Sequence, residues 1–362
     1  MRSKYSMNTA ELFAYRLYQH GTLNQNDDAI TPFTRVIGIQ AQNQRAAELN
    51  ATLQTGADQD EIDKLFSDKK VIRSWSQRWT LHLMTPGDWQ LVINARQKER
   101  LPNNYFLGMK DEVEGATEYV YEILQDKKSL TRDVYEQLMT DKFAWFTGRP
   151  KNVDYSLFQL LASQGKMYMQ ANSNPRNFEM LLPDNFTGMN QVEATAELIK
   201  RYLDTFGPAS IQDFVKWSGI KISNVRSAWK SIEPELNSVE ANNEKLWSPE
   251  VIAKDKLQGV TEQVSSNTYV AARFNSLMTG YLDKRWFIDK SLESKMWSKN
   301  GILMAPIIVN GQIVGKWTYK LTSKKIKFIV NSWGDYNNRQ LEKHFNKIAQ
   351  FLQHEYDGIT IE

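Results

Sequence analysis

Over the first seventy residues, apolar side chains recur at intervals of three and four, and then the spacing changes to alternation. Leu12, Phe13, Tyr15, Leu17 and Tyr18 mark a helix from Asn8 onward, and residues 22–31 read as a turn. Phe33, Val36, Ile37 and Ile39 predict a second helix over residues 32–40, with Pro32 suited to its first turn. Ala46, Leu49 and Leu53 mark a third over residues 45–54, and residues 58–66 form another amphipathic stretch. From 71 to 84, VIRSWSQRWTLHLM alternates, which predicts strands with a hairpin near residues 74–78. Short helices followed by a two-stranded ribbon are the plan of a winged helix, a helix-turn-helix with a β wing.

The plan returns twice. Residues 130–139 and 155–164 read as helices, followed by strands at 166–170 and 178–182 around a turn at 172–176. The third copy is the clearest. Residues 202–206 lead into Gly207-Pro208, Ser210 caps a helix to residue 218, Gly219 makes the turn, and Ser223 starts a helix running to Ile232. A strand pair at 238–247 turns at Asn242-Asn243. The C-terminal part predicts strands at 302–309, 312–319 and 325–330, with Asn310-Gly311 as a hairpin turn, and a closing helix over 338–354. The predicted fold is mainly α with β wings (α+β). Three tandem winged-helix domains span 8–110, 111–190 and 191–262, and a C-terminal α+β element spans 263–362.

A length of 362 residues fits several domains, and a hydrophobic fraction of 41% excludes a disordered chain. The absence of cysteine excludes disulfides, zinc knuckles and thiol nucleophiles, and agrees with a reducing cytoplasm. The N-terminal MRSKYSMNTAELFAY lacks an apolar run of signal-peptide or membrane-span length, and Met7 is an alternative start. A net charge of +3 does not announce nucleic-acid binding, but a near-neutral chain binds DNA if its cations line one face.

GxSxG, HExxH and CxxC signatures are absent. Residues 311–316, GQIVGK, are one residue short of a phosphate loop, and Trp317 stands where Ser or Thr would follow, so they read as a hairpin. His20, His82, His344 and His354 show no metal-ligand spacing; neither a metal nor an organic cofactor is expected. Gln40 and Gln42 flank Ala41 at the end of the second predicted helix. Read blandly, they are polar residues facing water. On a helix, side chains two apart diverge by about 200°, so the two amides converge only if the chain leaves the helix near Gln40. Arg45, Arg73 and Arg78, beside the predicted helix and wing, and Arg149 and Lys151, in a Gly-Arg-Pro-Lys loop, are candidate phosphate contacts or ordinary surface charges. His82 faces away from Leu81 and Leu83, toward DNA or a structural hydrogen bond.

Gly38-Ile39-Gln40-Ala41-Gln42 resembles the glutamine-hydrophobic-glutamine motif of the AlkZ (YcaQ-like) family of bacterial DNA glycosylases. Further pieces follow in the family's order. They are Arg78-Trp79-Thr80-Leu81-His82-Leu83, then Phe206-Gly207-Pro208 before Trp217-Ser218-Gly219, then Arg273-Phe274-Asn275-Ser276-Leu277, with Asn275 where Asp is expected. Residues 309–317, VNGQIVGKW, complete the set. The resemblance implies three tandem winged helices, a double-stranded DNA partner, and Gln40 and Gln42 as the catalytic pair that positions a hydrolytic water.

An amide is no base at neutral pH, but it can hold a water by donating and accepting. That suffices where the leaving group is activated, and an N7-alkylated purine, which is cationic and departs neutral, meets the condition. The expectation is a monofunctional glycosylase for alkylated bases in duplex DNA, extending to interstrand crosslinks if the channel is open. It is expected to be monomeric, cytoplasmic and nucleoid-associated, with no membrane contact. Two other classes stay open on the sequence: a non-enzymatic winged-helix DNA binder or transcription regulator, and a protein scaffold without a positive groove.

Overall fold

Capping chemistry sets several helix starts. Asn8, Asp58 and Ser210 each open a helix (Thr9–Gln19, Gln59–Ser67 and Ile211–Ser218) through a reciprocal capping box with the acid three residues on. The protein is described by a computed structural model covering residues 5–23, 27–101, 103–172, 174, 177–298 and 301–362. Among these residues no helix is long and apolar enough to cross a membrane.

Strands Ile72–Trp75 and Leu81–Met84 form the predicted antiparallel pair, joined through a short 3-10 turn, Gln77–Trp79. The pair does not project as a free wing. Ile72–Trp75 also pairs with Tyr168–Gln170, which continues through Glu179–Leu181 to Ser129–Thr131, while Ile39–Gln40 adds to the opposite edge. The result is one six-stranded sheet that crosses the expected boundary at residue 110. Ile72, Leu81, Leu83, Met84, Met169 and Met180 are all buried, and a ribbon apolar on both faces must be covered on both. Two helices that the apolar periodicity did not single out, Pro86–Arg96 and Lys110–Lys127, help to cover it.

The third helical unit follows the expected order closely. Helices Gln191–Phe206, Ile211–Ser218 and Ile222–Ile232 precede a hairpin of Asn237–Ala241 and Glu244–Ser248. Asn242 and Asn243, at φ 53° and 63°, supply the left-handed pair that a two-residue turn demands. Tyr5–Met7 joins this hairpin as a parallel edge. The C-terminal unit is a five-stranded sheet with helix Asn338–Phe351 against it. Its last strand, Glu355–Ile361, lies beyond the sequence expectation and runs parallel to Lys325–Ser332.

Helix Gln44–Thr55 lies between the first unit and the C-terminal sheet, so its polar positions are buried along with its apolar ones. Asn50 finds its partners there. Asn50 donates to the Arg273 carbonyl at 3.1 Å and accepts from the Ala272 amide at 3.0 Å and from Asn275 at 2.9 Å. Asn275 in turn caps the short helix Ser276–Thr279.

The third unit docks on the first through arginine. Arg78 and Arg96 donate to the carbonyls of Trp217 and Ser218, the C-terminal end of helix Ile211–Ser218, where the helix dipole favours cations. Gly219 terminates that helix at φ 68°, and a Cβ there would stand 3.0 Å from the Arg78 Cα and 2.9 Å from Arg96 Nη1. Two histidines are sealed in the interior: His20 against Phe206, and His82 within the six-stranded sheet. Burial, reinforced by neighbouring arginines, lowers both to about 3.

Two consequences are measurable. Gly219→Ala should cost about 1–3 kcal/mol, seen as a lower thermal midpoint, because it combines left-handed strain with a clash against both arginines. Buried neutral histidines stabilise nothing extra above their ordinary value near 6.5, but below it the unfolded chain takes up protons that the folded one refuses. Each should therefore remove up to about 1.4 kcal/mol per pH unit between pH 6.5 and about 3. Urea denaturation at stepped pH should show a shallower loss in His82→Gln than in the parent; equal slopes would contradict the neutral, buried ring.

Candidate active site

The predicted helix over 32–40 ends early, at Thr31–Arg35. Ile37 at φ 55° and Gly38 at φ 97° turn the chain, and Ile39–Gln40 leaves as a strand. Gly38 is required there, since a Cβ would lie 2.9 Å from the Met84 Cβ. Ile37, β-branched in the left-handed region, is strained, and buried Gln77 secures it by donating to its carbonyl at 2.6 Å. The extension continues as the Ala41 amide donates to the Leu81 carbonyl at 2.7 Å. In extended chain, residues two apart share a side, so the divergence expected on a helix disappears. Gln40 Nε2 donates to Gln42 Oε1 at 2.7 Å; Gln40 is 7% exposed, and Gln42 is open to solvent.

Arg78 controls the pair. Arg78 and Trp79 both adopt positive φ, 54° and 55°, a left-handed turn pinned where Gln159 donates to the Trp79 carbonyl at 2.9 Å. The turn sends one guanidinium nitrogen to the Trp217 carbonyl and the other to Gln40 Oε1 at 3.0 Å. Burial lowers Arg78 to about 10, so it stays cationic at neutral pH. A guanidinium only donates, and this fixes the amide order. Gln40 must turn its oxygen to Arg78 and its nitrogen to Gln42. Gln42 must then turn its oxygen to Gln40 and keep both N–H groups for a ligand.

His82 faces Gln40 across the sheet as its register partner, with Nδ1 2.8 Å from the Thr80 carbonyl. A carbonyl only accepts, so Nδ1 carries the proton. The ring is buried and neutral, and of the two readings of His82 the structure has the structural hydrogen bond in place of the DNA contact. Arg78, spent on Gln40 and Trp217, is likewise an internal brace and no phosphate contact. Arg149 is a third correction: its guanidinium is held by Glu136 at 2.8 Å and Asp154 at 3.0 Å, over the Phe146 ring. Arg45 pairs with buried Glu48 at 2.6 Å and is one-third exposed, and Lys151 is exposed. Apolar patterning missed Gln77, Gln159 and Arg96, which brace the site. A polar residue interrupting an apolar run, as Gln159 does within residues 157–162 (LFQLLA), was the available signal.

Gln42 opens on a cleft of about 550 Å³ between the turn around Trp79, the segment around Tyr105 and helix Val153–Ser163. Arg73 also lines it. Its Nε lacks a partner, its Nη2 reaches the Ala41 carbonyl only at 3.5 Å, and desolvation pulls its pKa down. Among the described residues none that lines this cleft is acidic.

Comparison with known proteins places this geometry. Residues 33–351 match the model of the AlkZ-like DNA glycosylases. An interstrand DNA cross-link repair glycosylase from Streptomyces sahachiroi is 25% identical over 301 residues, which is 78% of this chain and 80% of that one. The solved structure of the Streptomyces sahachiroi DNA glycosylase AlkZ covers all of both chains with a TM-score of 0.80 at 21% identity, a likeness of fold. With a family match spanning most of its length, the chain belongs to the AlkZ-like DNA glycosylases, a hydrolytic DNA repair family.

Proposed function

We propose that this glycosylase hydrolyses the N-glycosidic bond of N7-alkylated purines in duplex DNA, with Gln40 and Gln42 holding the attacking water. The observation that carries the reading is the Arg78–Gln40–Gln42 relay. With its order fixed, the pair offers both N–H groups of Gln42, one of Gln40, and a spare lone pair on each oxygen. A water beside it both donates and accepts, which orients the oxygen without removing a proton. Such mild assistance matches a substrate that needs little. The C1′–N9 bond breaks with its electron pair going to the cationic purine, which leaves neutral. The water oxygen bonds C1′, and the proton passes to solvent. Undamaged bases, which would leave as anions, should be poor substrates.

Arg73, under-satisfied at the cleft wall, is the cation we assign to a backbone phosphate near the lesion. Lys151 and the exposed part of Arg45 are outer contacts of the same kind. The separate helical units are read as winged helices gripping the flanking duplex. The relative from Streptomyces is named for interstrand crosslinks, and a wide cleft at Gln42 suits lesions of that bulk here too.

Gln40→Ala combined with Gln42→Ala should reduce release of N7-methylguanine at least about 100-fold, while duplex affinity stays within about threefold. Base release is read by alkaline cleavage of the abasic sites. Undiminished release by the double variant would remove the pair from the chemistry. Arg78→Lys keeps a charge but loses the fork that fixes the amide order, so kcat should fall about 10- to 100-fold with KM little changed. A KM effect alone would make Arg78 a binding residue.

A further inference from the structure

The segment that carries Gln42 borders a second concavity. Gln42 lines the cleft, and the next residue, Asn43, lines a separate notch of about 120 Å³ between helix Gln44–Thr55 and the C-terminal sheet. That volume lies below the roughly 300 Å³ at which pockets for organic ligands begin, so the notch suits one small group and no base. Trp317 forms part of its apolar floor, and the polar lining is Asn43, Arg273, Thr318 and Tyr319.

Each of those four has a hydrogen atom to give. Arg273 spends only Nε, on the Leu303 carbonyl at 3.3 Å, and among the described residues Nη1 and Nη2 have no hydrogen-bond or ion-pair partner. The main chain around it is tied down. The Ala272 amide donates to Asn50 at 3.0 Å, the Arg273 carbonyl accepts from Asn50 at 3.1 Å, and the Ala271 carbonyl accepts from the Trp317 indole at 3.0 Å. Buried Phe274 sits at φ 58°, a left-handed conformation that a bulky residue keeps only where its surroundings impose it. A pinned and strained backbone thus presents a guanidinium with its fork unused.

The other donors are equally placed. The Tyr319 ring stacks on Trp317 at 6.4 Å between centroids, and burial raises its hydroxyl above the usual range, so it keeps its proton. Asn43 Oδ1 is taken by the Ala46 amide at 3.1 Å, which leaves Nδ2 to donate. No acid lines the notch among the described residues, and Glu48, on the same helix, is held by Arg45 at 2.6 Å and Gln44 at 2.9 Å. An unpaired guanidinium among donors, with no carboxylate beside it, is the chemistry of an oxyanion site.

We propose that the notch binds one phosphodiester of the DNA backbone close to the lesion, its oxyanion taken by the Arg273 fork, with Tyr319, Thr318 and Asn43 donating from the sides. The inference rests on the duplex-DNA half of the proposed function and not on the chemistry of the glutamine pair. It gives the C-terminal unit a part in holding the substrate, at a place that shares no lining residue with the cleft.

The test is binding to a duplex of about 20 base pairs with a central tetrahydrofuran site, in which single phosphates near that site are replaced in turn by uncharged methylphosphonate. Arg273→Gln should weaken binding about five- to tenfold and lower the slope of log K against log salt by about one, and Arg273→Lys should recover the slope. One methylphosphonate position should weaken the parent as much as Arg273→Gln does and cost that variant nothing further, a coupling that a merely structural role would not produce. Should Arg273→Gln not fold, the same coupling is read with Tyr319→Phe, which keeps the ring packing. An unchanged salt slope in folded Arg273→Gln, or methylphosphonates that weaken parent and variant equally at every position, would overturn the site. Inorganic phosphate that stabilises the parent but not Arg273→Gln, with no sensitive position in the scan, would make the notch a free-anion site and remove its assignment to DNA. Release of N7-methylguanine is a separate readout: a parent that releases no base yet shows the coupled phosphate loses the glycosylase reading and keeps the notch, and the reverse pattern does the opposite.

Discussion

A guanidinium has hydrogen atoms to give and no lone pair to receive, and the organisation of this molecule follows from where one of them is placed. Arg78 joins the carbonyl end of a helix in the third unit to the amide of Gln40 in the first. Docking of the units and the order of the glutamine pair are therefore set by the same group. Half-burial would make such a cation costly if it stood alone. The helix C-terminus offsets part of that cost through its dipole, and Arg96 repeats the arrangement one carbonyl further on while lying over the Trp79 ring at 4.2 Å.

Strain is concentrated around the same group. Ile37, Arg78 and Trp79 are non-glycine residues in the left-handed region, all within one turn or strand of Gln40. Such conformations persist only where surroundings over-determine them, and here the braces are buried amides: Gln77 on the Ile37 carbonyl and Gln159 on the Trp79 carbonyl. Glutamine is long enough to reach across a gap and neutral enough to be buried at modest cost once bonded. The result is a site with little freedom before any ligand arrives, as positioning chemistry requires.

The larger architecture serves that rigidity. Pairing of Ile72–Trp75 with Tyr168–Gln170 fuses the ribbons of the first two units into one sheet, so the cleft at Gln42 has walls from both. Helix Gln44–Thr55, following directly on the glutamine pair, is clamped on its far side through Asn50 by residues 272–275 of the C-terminal unit. Movement of the pair would have to carry a buried helix with it.

Local chemistry was legible in the sequence, and long-range placement was not. Ser210 as cap, Gly219 as terminator, the Asn242-Asn243 and Asn310-Gly311 turns and the alternation at residues 71–84 each depend on a few neighbouring residues, so pattern and turn propensity determined them. The ordered motifs sufficed to identify the family. The second half of the helix over 32–40 failed because its apolar period fits both a helix and a buried strand, and only contact with Leu81–Met84, with Gly38 close against Met84, selects the strand. Arg78 and Arg149 read as candidate phosphate contacts or surface charges, and His82 as a DNA contact or a structural hydrogen bond, because sequence cannot report burial or tertiary partners. Whether a charged side chain meets water, a carboxylate or a helix end is decided by how the chain packs, with Arg149 paired to Glu136 and Asp154 on neighbouring helices and Arg78 reaching the Trp217 carbonyl in another unit, and only the tertiary structure brings those together.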